Sequence, residues 1–210
     1  MGLGDLRRRL FARYYDRVTA GYEAEVRDRK RRLIGPLEGT VVELGPGTGW
    51  NLSLLAPGVR WIGVEPNEHM HAPLREKARE LGVNVELHKA DAAHLPFEDG
   101  SVDAIVSTLV LCSVPDLPAV LAEVRRVLKP GGRFVFWEHV LAPKGAMLRG
   151  TQHALTPIWR LYADGCRCNR DTGSAIQSAG FTQVELEAFE APRGFAPSWI
   201  RPHIAGTATA

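Results

Sequence analysis

The chain has 210 residues, of which 45% are hydrophobic and 24% charged, values typical of a single globular domain with a real core. Residues 1–35 hold ten Lys/Arg against five Asp/Glu, a local +5 within a net charge of +2, so the remaining chain is mildly acidic and unsuited to binding nucleic acid. Three cysteines, a charged start and no apolar run near the ~20 residues that cross a bilayer predict a cytoplasmic protein without disulfides.

The first element is an amphipathic helix over residues 3–33, expected in two pieces. Its apolar residues recur at three- and four-residue steps: Leu3, Leu6, Leu10, Phe11 and Tyr14. We favour a helix packed on the domain with a solvated basic face, and contact with anionic membrane lipid is the second interpretation. In the first case residues 1–36 form a lid, with Tyr15 roofing a ligand pocket at the strand ends.

A short apolar strand over residues 41–44 runs directly into the glycine loop Gly45–Gly49. The glycines allow a tight turn and close approach of the backbone to a ligand. Glu65 stands twenty positions after Gly45, at the end of a second apolar run. An acid at this distance binds the ribose hydroxyls of nucleotide-type cofactors, so the pattern favours a cofactor site over a strand-turn without a ligand.

Two residues of the loop region indicate which cofactor binds. Pro46 removes one of the backbone N–H donors that a pyrophosphate requires. Glu43 places a carboxylate just before the loop, which suits an ammonium group. S-adenosylmethionine carries an ammonium and a sulfonium and no phosphate, so it is predicted over a nicotinamide dinucleotide.

Helices and strands alternate through the next hundred residues, which predicts an open, mostly parallel sheet with helices on both faces. Strands are expected at 60–65, 84–88, 103–107 and 133–140, and helices at 51–55, 67–82 and 118–128. Residues 144–173 have weak periodicity and are interpreted as an insertion over the acceptor pocket. A short helix at 173–179 and an antiparallel strand pair, 184–189 with 203–207, close a single domain, 1–210.

Several of these motifs together resemble the class I S-adenosylmethionine-dependent methyltransferases: Val41–Gly49, Glu65, Asp91 and Leu128–Gly132. A narrower resemblance, to the methyltransferase-like protein seven group, rests on residues 108–114, 123–128, 136–140, 164–166 and 202–206. The resemblance implies a doubly wound, Rossmann-like, seven-stranded sheet with an antiparallel edge strand and S-adenosylmethionine as cofactor. It also implies a small apolar acceptor, because that group includes membrane-associated alkyl thiol S-methyltransferases. Its members begin with a hydrophobic anchor, where this chain has a basic helix.

The cofactor contacts expected from these motifs come from the lid and from four strand ends. They are Tyr15, Glu43, Gly45, Pro46, Gly47, Thr48, Gly49, Asn51, Glu65, Pro66, Asn67, Met70, Asp91, Ala92, Ala93, Thr108 and Leu109. Asp91 just past the third strand would accept a hydrogen bond from the adenine amine, and the alternative for it is a turn or cap residue.

On the acceptor side, His139 at the end of the fifth strand is the leading candidate base, and the alternative is a histidine that orients a loop. Asp164 is the second catalytic candidate, whereas Cys166 is interpreted as a packing residue. Cys166 and Cys168 lack zinc-site spacing, so no metal is predicted. Five aromatic residues could line an apolar pocket, with Trp137 favoured as core: Trp137, Trp159, Tyr162, Phe195 and Trp199.

Three functions remain open from the sequence. The first is methylation of a small apolar acceptor, above all a thiol, which needs little help from a base. The second is a phospholipid, quinone-type or phenolic methyltransferase acting on oxygen, nitrogen or carbon at a membrane surface, reached through the basic helix. The third is a cofactor-binding protein without transfer activity. The sequence does not predict an oligomeric state.

Overall fold

The computed structural model describes residues 2–192 and 197–210 as a seven-stranded sheet with five α-helices. The helices are α1 Leu3–Ile34, α2 Glu68–Leu81, α3 Leu117–Val127, α4 Met147–Tyr162 and α5 Thr172–Ser178. The strands are β1 Thr40–Leu44, β2 Arg60–Val64, β3 Val85–His88, β4 Val102–Thr108, β5 Leu128–His139, β6 Gln183–Glu190 and β7 Pro202–Thr209. Two short 3₁₀ helices, Trp50–Leu54 and Ser198–Ile200, complete the order.

The sheet has the order β3-β2-β1-β4-β5-β7-β6. Strands β1 to β5 pair in parallel, and β7 pairs antiparallel with both β5 and β6. The doubly wound, mostly parallel sheet is therefore confirmed, and the antiparallel pair lies at one edge as predicted. The strand that reverses direction, β7, sits one position in from the edge strand β6.

Alternating side chains of the strands bury the two faces of the sheet against different helices. On one face Val42, Ile105 and Phe134 pack in one cluster with α3 and α5. On the other face Val41 packs with the end of α1, and Trp61 packs with α2. Because both faces are covered, the ends of the strands and their loops remain as the place for a ligand.

The N-terminal helix differs from its prediction in two respects. It is one continuous helix of 32 residues, and the two-piece prediction was wrong. Its buried side lies in the second half, where Tyr22 and Val26 pack with Trp137. In the first half Leu6 and Leu10 are 39% and 45% exposed, so part of the predicted apolar stripe does not pack on the domain.

The segment interpreted as an insertion contains a regular helix. Residues 147–162 form α4 despite Gly150 and Pro157, two residues that weaken the helical pattern in sequence. The helix is anchored by Gln152, whose side chain is fully buried and bonds to three backbone groups, two in the segment after β5 and one at Trp199. None of the helices in the described ranges combines the length and apolarity that a membrane-spanning helix needs.

Candidate functional site

The glycine loop after β1 has the backbone conformation that its sequence predicts. Gly45, Gly47 and Gly49 have φ values of 52°, 56° and 85°, which L side chains rarely adopt. A Cβ atom at Gly45 would also lie 2.7 Å from Cγ2 of Val110, which follows β4. The loop therefore packs directly against the loop after β4 and leaves no space for a side chain there.

Glu65, at the end of β2, ties the glycine loop to the start of α2. Its carboxylate accepts hydrogen bonds from the backbone N–H of Gly47 at 3.1 Å and of Asn67 at 2.8 Å. Burial raises the pKa of Glu65, and the two backbone donors oppose that rise. A carboxylate has about four acceptor positions, so about two remain for ribose hydroxyls.

Glu43, in β1 before the loop, bonds to side chains of the 3₁₀ helix after the loop and of β2. It accepts from Asn51 Nδ2 at 2.7 Å and from Trp61 Nε1 at 3.0 Å. Burial raises the pKa of Glu43 to about 7. Asn51 Nδ2 also donates to Thr108 Oγ1 at 3.0 Å, whereas Asn51 Oδ1 is buried with no partner in the described part of the chain. This unpartnered acceptor fits a ligand that carries a hydrogen-bond donor, such as the ammonium group of S-adenosylmethionine.

Helix α1 crosses over the glycine loop and over the segment between β2 and α2. The Tyr15 ring lies 3.5 Å from the position of a Cβ at Gly47, and Asp16 bonds to Thr48 Oγ1. Further along, Asn67 Nδ2 donates to the backbone carbonyl of Arg8 at 3.4 Å. Helix α1 therefore contacts the glycine loop and the start of α2, which is the placement that the lid hypothesis requires.

The remaining cofactor candidates lie on the same edge of the sheet. Met70 is buried in the first turn of α2, Pro66 is exposed, and Leu109 has a positive φ of 60°. Asp91 is exposed and accepts from the backbone N–H of Ala93 at 2.9 Å, beside the buried Ala92. That bond is the predicted turn interaction, and the adenine contact of Asp91 stays a prediction.

The acceptor side is organised around a buried cluster that the sequence did not indicate. His139 Nε2 lies 2.9 Å from Cys166 Sγ, and Trp159 Nε1 donates to the same sulfur at 3.1 Å. Cys112 joins them, and the ligating atoms of Cys112, His139 and Cys166 lie within 4.8 Å of one another. Cys168 lies apart from this cluster and contacts Thr156 at 3.1 Å.

One signal could have identified this cluster. Cys112 lies just after β4 and His139 ends β5, and these neighbouring parallel strands bring their carboxyl ends to one edge. Cys166 arrives from the turn after α4, which sequence periodicity did not reveal. The Cys166 sulfur and burial raise the pKa of Cys112 well above its usual value, so its sulfur is a neutral thiol at neutral pH.

Glu138 and Asp164, next to this cluster in sequence, make other contacts. The buried Glu138 carboxylate accepts from Ser107 Oγ at 2.7 Å and from the backbone N–H of Val110 and Leu111, which fixes the loop after β4. Asp164 has a positive φ of 43° and pairs with Arg7 of α1 at 3.4 Å. The catalytic roles of Asp164 and His139 stay predictions.

The aromatic candidates divide between core and surface. Trp137 is buried in the core as predicted, whereas Tyr162 is 75% exposed. Trp159 and Trp199 meet edge to face with ring centroids 6.1 Å apart, beside the cysteine cluster. Phe195 lies outside the described residues.

The chain is similar in sequence to known methyltransferases. Residues 42–136 match the family model described as a methyltransferase domain. The chain is 36% identical to thiol S-methyltransferase TMT1B of Rattus norvegicus, over 91% of this chain and 82% of that protein. It is 34% identical to thiol S-methyltransferase TMT1A of Homo sapiens, over 94% of this chain and 85% of that protein.

A solved structure shares the fold at low sequence identity. It is described as a SAM-dependent methyltransferase, possible histamine N-methyltransferase, of Thermotoga maritima. The TM-score is 0.67 at 22% identity, covering 95% of this chain and 97% of that chain. With a glycine loop, a buried acid at the end of the second strand and the sheet order in place, and with relatives above 30% identity along nearly its whole length, the chain belongs to the S-adenosylmethionine-dependent methyltransferase family.

Proposed function

We propose that the chain transfers the methyl group of S-adenosylmethionine to the thiol of a small apolar molecule. The observation that carries this proposal is the extent of similarity to the two thiol S-methyltransferases. It covers 91–94% of the chain and so extends past residue 136, where the match to the general methyltransferase domain ends. The region beyond that residue contains His139 and Cys166 of the acceptor side.

The cofactor half of the reaction depends on alignment. When bound, S-adenosylmethionine supplies a methyl group already activated on a sulfonium, so the protein mainly positions the reactants and excludes water. Glu65 bonds to Gly47 of the glycine loop, Glu43 bonds to Asn51 just after the loop, and the Tyr15 ring lies over Gly47. An in-line arrangement of this kind contributes up to roughly 7–11 kcal/mol to lowering a barrier.

The acceptor half suits a soft nucleophile. The described groups at the ends of β4 and β5 include two buried sulfur atoms, an imidazole and the N–H of Trp159, with aromatic rings beside them. A thiol with a pKa near ~8.5 supplies some thiolate at neutral pH and needs little base assistance. All three cysteines are free, which agrees with the reducing cytoplasmic compartment that we propose.

A matched acceptor series tests the proposal. An alkyl thiol, the alcohol of the same carbon skeleton and the corresponding amine are incubated with the protein and methyl-labelled S-adenosylmethionine. We expect label in the thioether, with kcat/KM at least roughly a hundredfold above the alcohol because oxygen requires a base. Equal rates for the three acceptors, or label only in the amine, would contradict thiol specificity.

A second candidate is favoured by one surface feature. Four apolar side chains at four-residue steps along the exposed side of the basic α1 are 39–65% exposed: Leu6, Leu10, Tyr14 and Val18. An apolar stripe on an arginine-rich helix suits a membrane surface with anionic lipid, where a phospholipid or quinone-type acceptor would reside. We therefore propose peripheral membrane contact as an additional property, which would also bring apolar thiols to the site.

Vesicle co-sedimentation tests this contact. We expect binding to vesicles containing anionic lipid and less binding at high salt. The double variant Leu10→Ser and Tyr14→Ser should sediment several-fold less. The control Arg27→Ser, on the same helix outside the exposed apolar stripe, should lose only the contribution of one charge. Equal sedimentation of the stripe variant and wild type would reject the proposal.

A further inference from the structure

The cluster of Cys112, His139 and Cys166 has the composition and geometry of a metal site with three protein ligands. All three residues are buried, with exposures of 2%, 5% and 7%, and their ligating atoms lie within 4.8 Å of one another. In a tetrahedral zinc site the bond lengths of about 2.0–2.3 Å place ligand atoms about 3.5–3.8 Å apart. Small side-chain movements would therefore bring these three atoms around one ion.

The chemistry of the ligands selects the kind of metal. Two sulfur atoms and one imidazole are soft and borderline ligands, which suit Zn²⁺ and do not suit Mg²⁺ or Ca²⁺. Trp159 Nε1 already donates to Cys166 Sγ at 3.1 Å, the kind of outer hydrogen bond that stabilises a ligating thiolate. His139 Nδ1 is buried without a hydrogen-bond partner among the described residues, so the contacts of the cluster use only Nε2 of this ring.

The position of the cluster links it to the methyl donor. Cys112 belongs to the loop after β4, where its sulfur lies 3.5 Å from the Leu109 carbonyl and where Val110 packs on Gly45 of the glycine loop. Cys166 is two residues from Asp164, which pairs with Arg7 of the helix that covers the same loop. The cluster thus lies next to the cofactor edge and contacts Trp159 of α4.

We propose that Cys112, His139 and Cys166 bind one Zn²⁺ ion whose fourth position takes the sulfur of the acceptor thiol. Three protein ligands with one open position are the arrangement of catalytic rather than structural zinc. The second half of this proposal rests on the proposed thiol methylation. It also assigns His139 as a ligand, a role that excludes its service as the base.

The step balances without another reactant. Cys112 and Cys166 release their protons when they bind the ion, and the acceptor thiol releases its proton to solvent on coordination, because a coordinated thiol is deprotonated. The sulfur lone pair of the thiolate then forms the bond to the methyl carbon. The bond between that carbon and the donor sulfonium breaks, and its electron pair stays on the sulfur of the S-adenosylhomocysteine product. The neutral thioether binds zinc weakly and leaves.

Metal content is measured first, on the full-length protein purified without a chelator or an affinity tag that binds metals. We expect close to one equivalent of zinc by mass spectrometry of the dialysed protein. Replacement by Co²⁺ should give thiolate charge-transfer bands and intense tetrahedral d–d bands. The variants Cys112→Ser and Cys166→Ser should each lower zinc affinity at least roughly a hundredfold, with melting temperature recorded as the check on folding.

Cys168→Ser is the matched control, because this third cysteine is also buried but contacts Thr156. It should keep the zinc and the cobalt spectrum of wild type. Wild-type protein depleted of metal provides a second test that needs no substitution. Its thiol methylation should fall at least roughly tenfold and return on addition of zinc, while its affinity for S-adenosylhomocysteine stays unchanged.

The results separate this inference from the proposed function. Two results would overturn the inference and leave thiol methylation standing. The first is wild-type protein that binds no zinc and gives no cobalt spectrum, and the second is full thiol methylation after metal depletion. A Cys112–Cys166 disulfide in protein kept under reducing conditions would also overturn it. Zinc bound in a protein that methylates no thiol would remove the proposed function and the fourth-ligand role with it.

Discussion

The two ends of the site are built in different ways. The cofactor edge is centred on one continuous loop, 45–49. The Glu65 carboxylate bonds to Gly47 of this loop and to Asn67, and Glu43 bonds to Asn51 just after the loop. The acceptor edge consists of Cys112, His139 and Cys166, which come from three distant parts of the chain and contact one another through side chains. We propose that the first edge recognises the cofactor and that the second determines the acceptor.

The two edges differ in how much sequence change they can accept. A loop that depends on positive φ values and on Gly45 packing against Val110 tolerates little change. A cluster of side chains at the ends of β4 and β5, covered by a separate helix, can change without altering the sheet. We therefore propose that the fold fixes the methyl donor and that substrate choice varies at the acceptor edge.

The largest effect is expected at the glycine loop. Valine at position 47 would be a β-branched residue at a φ of 56°, with its branches directed at the Tyr15 ring. We expect Gly47→Val to weaken S-adenosylhomocysteine binding at least roughly a hundredfold by calorimetry. Gly58→Val is the control, because Gly58 has a φ of 86° but no atom within 4 Å of its Cβ position. Equal losses in both variants would show general strain and not a damaged cofactor site.

The buried Glu43 should impose a pH dependence on stability. Its pKa is about 7 in the folded protein against 4.5 as a model value, because of burial, and the charges facing it come from Lys30 and Glu23 of α1. Because the pKa is raised in the folded state, Glu43 does not lower the free energy of unfolding below about pH 4.5, where its carboxyl is protonated in both states. As pH rises from there to about 7, its ionisation lowers the free energy of unfolding by roughly 3 kcal/mol.

Glu43→Gln tests this by removing the charge while keeping a hydrogen-bonding side chain. The glutamine oxygen can accept from Trp61, and its amide can donate to the unpartnered Oδ1 of Asn51 after that side chain rotates. Urea unfolding from pH 4.5 to 8 should show a smaller fall in unfolding free energy for the variant. Parallel curves for the two proteins would remove Glu43 as the source.

The smallest effect concerns the lid. Tyr15→Ala should weaken S-adenosylhomocysteine binding roughly fivefold, about 1 kcal/mol, because the ring covers Gly47. Tyr14→Ala is the neighbour on the same helix and is 46% exposed, so its affinity should match wild type. Deletion of residues 1–20 should lower affinity further while the sheet stays folded. Unchanged binding in Tyr15→Ala and in the deletion would leave α1 as a surface helix.

Prediction from sequence succeeded where the information was local. The strand and glycine loop at 41–49, Glu65 after the next strand, and the helix bounded by Asn67 and Gly82 all follow from short-range rules of chain geometry. The prediction of α1 in two pieces failed because the packing of Tyr22 and Val26 on the sheet, which is long-range, stabilises one continuous helix.

The acceptor edge was not predictable in the same way. Cys112, His139 and Cys166 are separated by 27 residues at each step, so no spacing rule for metal or catalytic motifs covers them. Their approach depends on β4 and β5 being neighbours and on the path of the chain after α4. The sequence named His139 from its strand end and missed Cys112, because an apolar cysteine in a loop has no local signature.

The most direct test of the division between the two edges is a paired measurement on Glu65→Ala and His139→Ala. For each protein the dissociation constant of S-adenosylhomocysteine and kcat/KM for an alkyl thiol are determined. Glu65→Ala should weaken cofactor binding by about 1.5–3 kcal/mol, the scale of a hydrogen bond to a charged group. His139→Ala should bind S-adenosylhomocysteine within twofold of wild type and transfer methyl to the thiol at least roughly tenfold more slowly. A His139 variant that loses cofactor affinity as Glu65→Ala does, or that keeps full thiol transfer, would contradict the division.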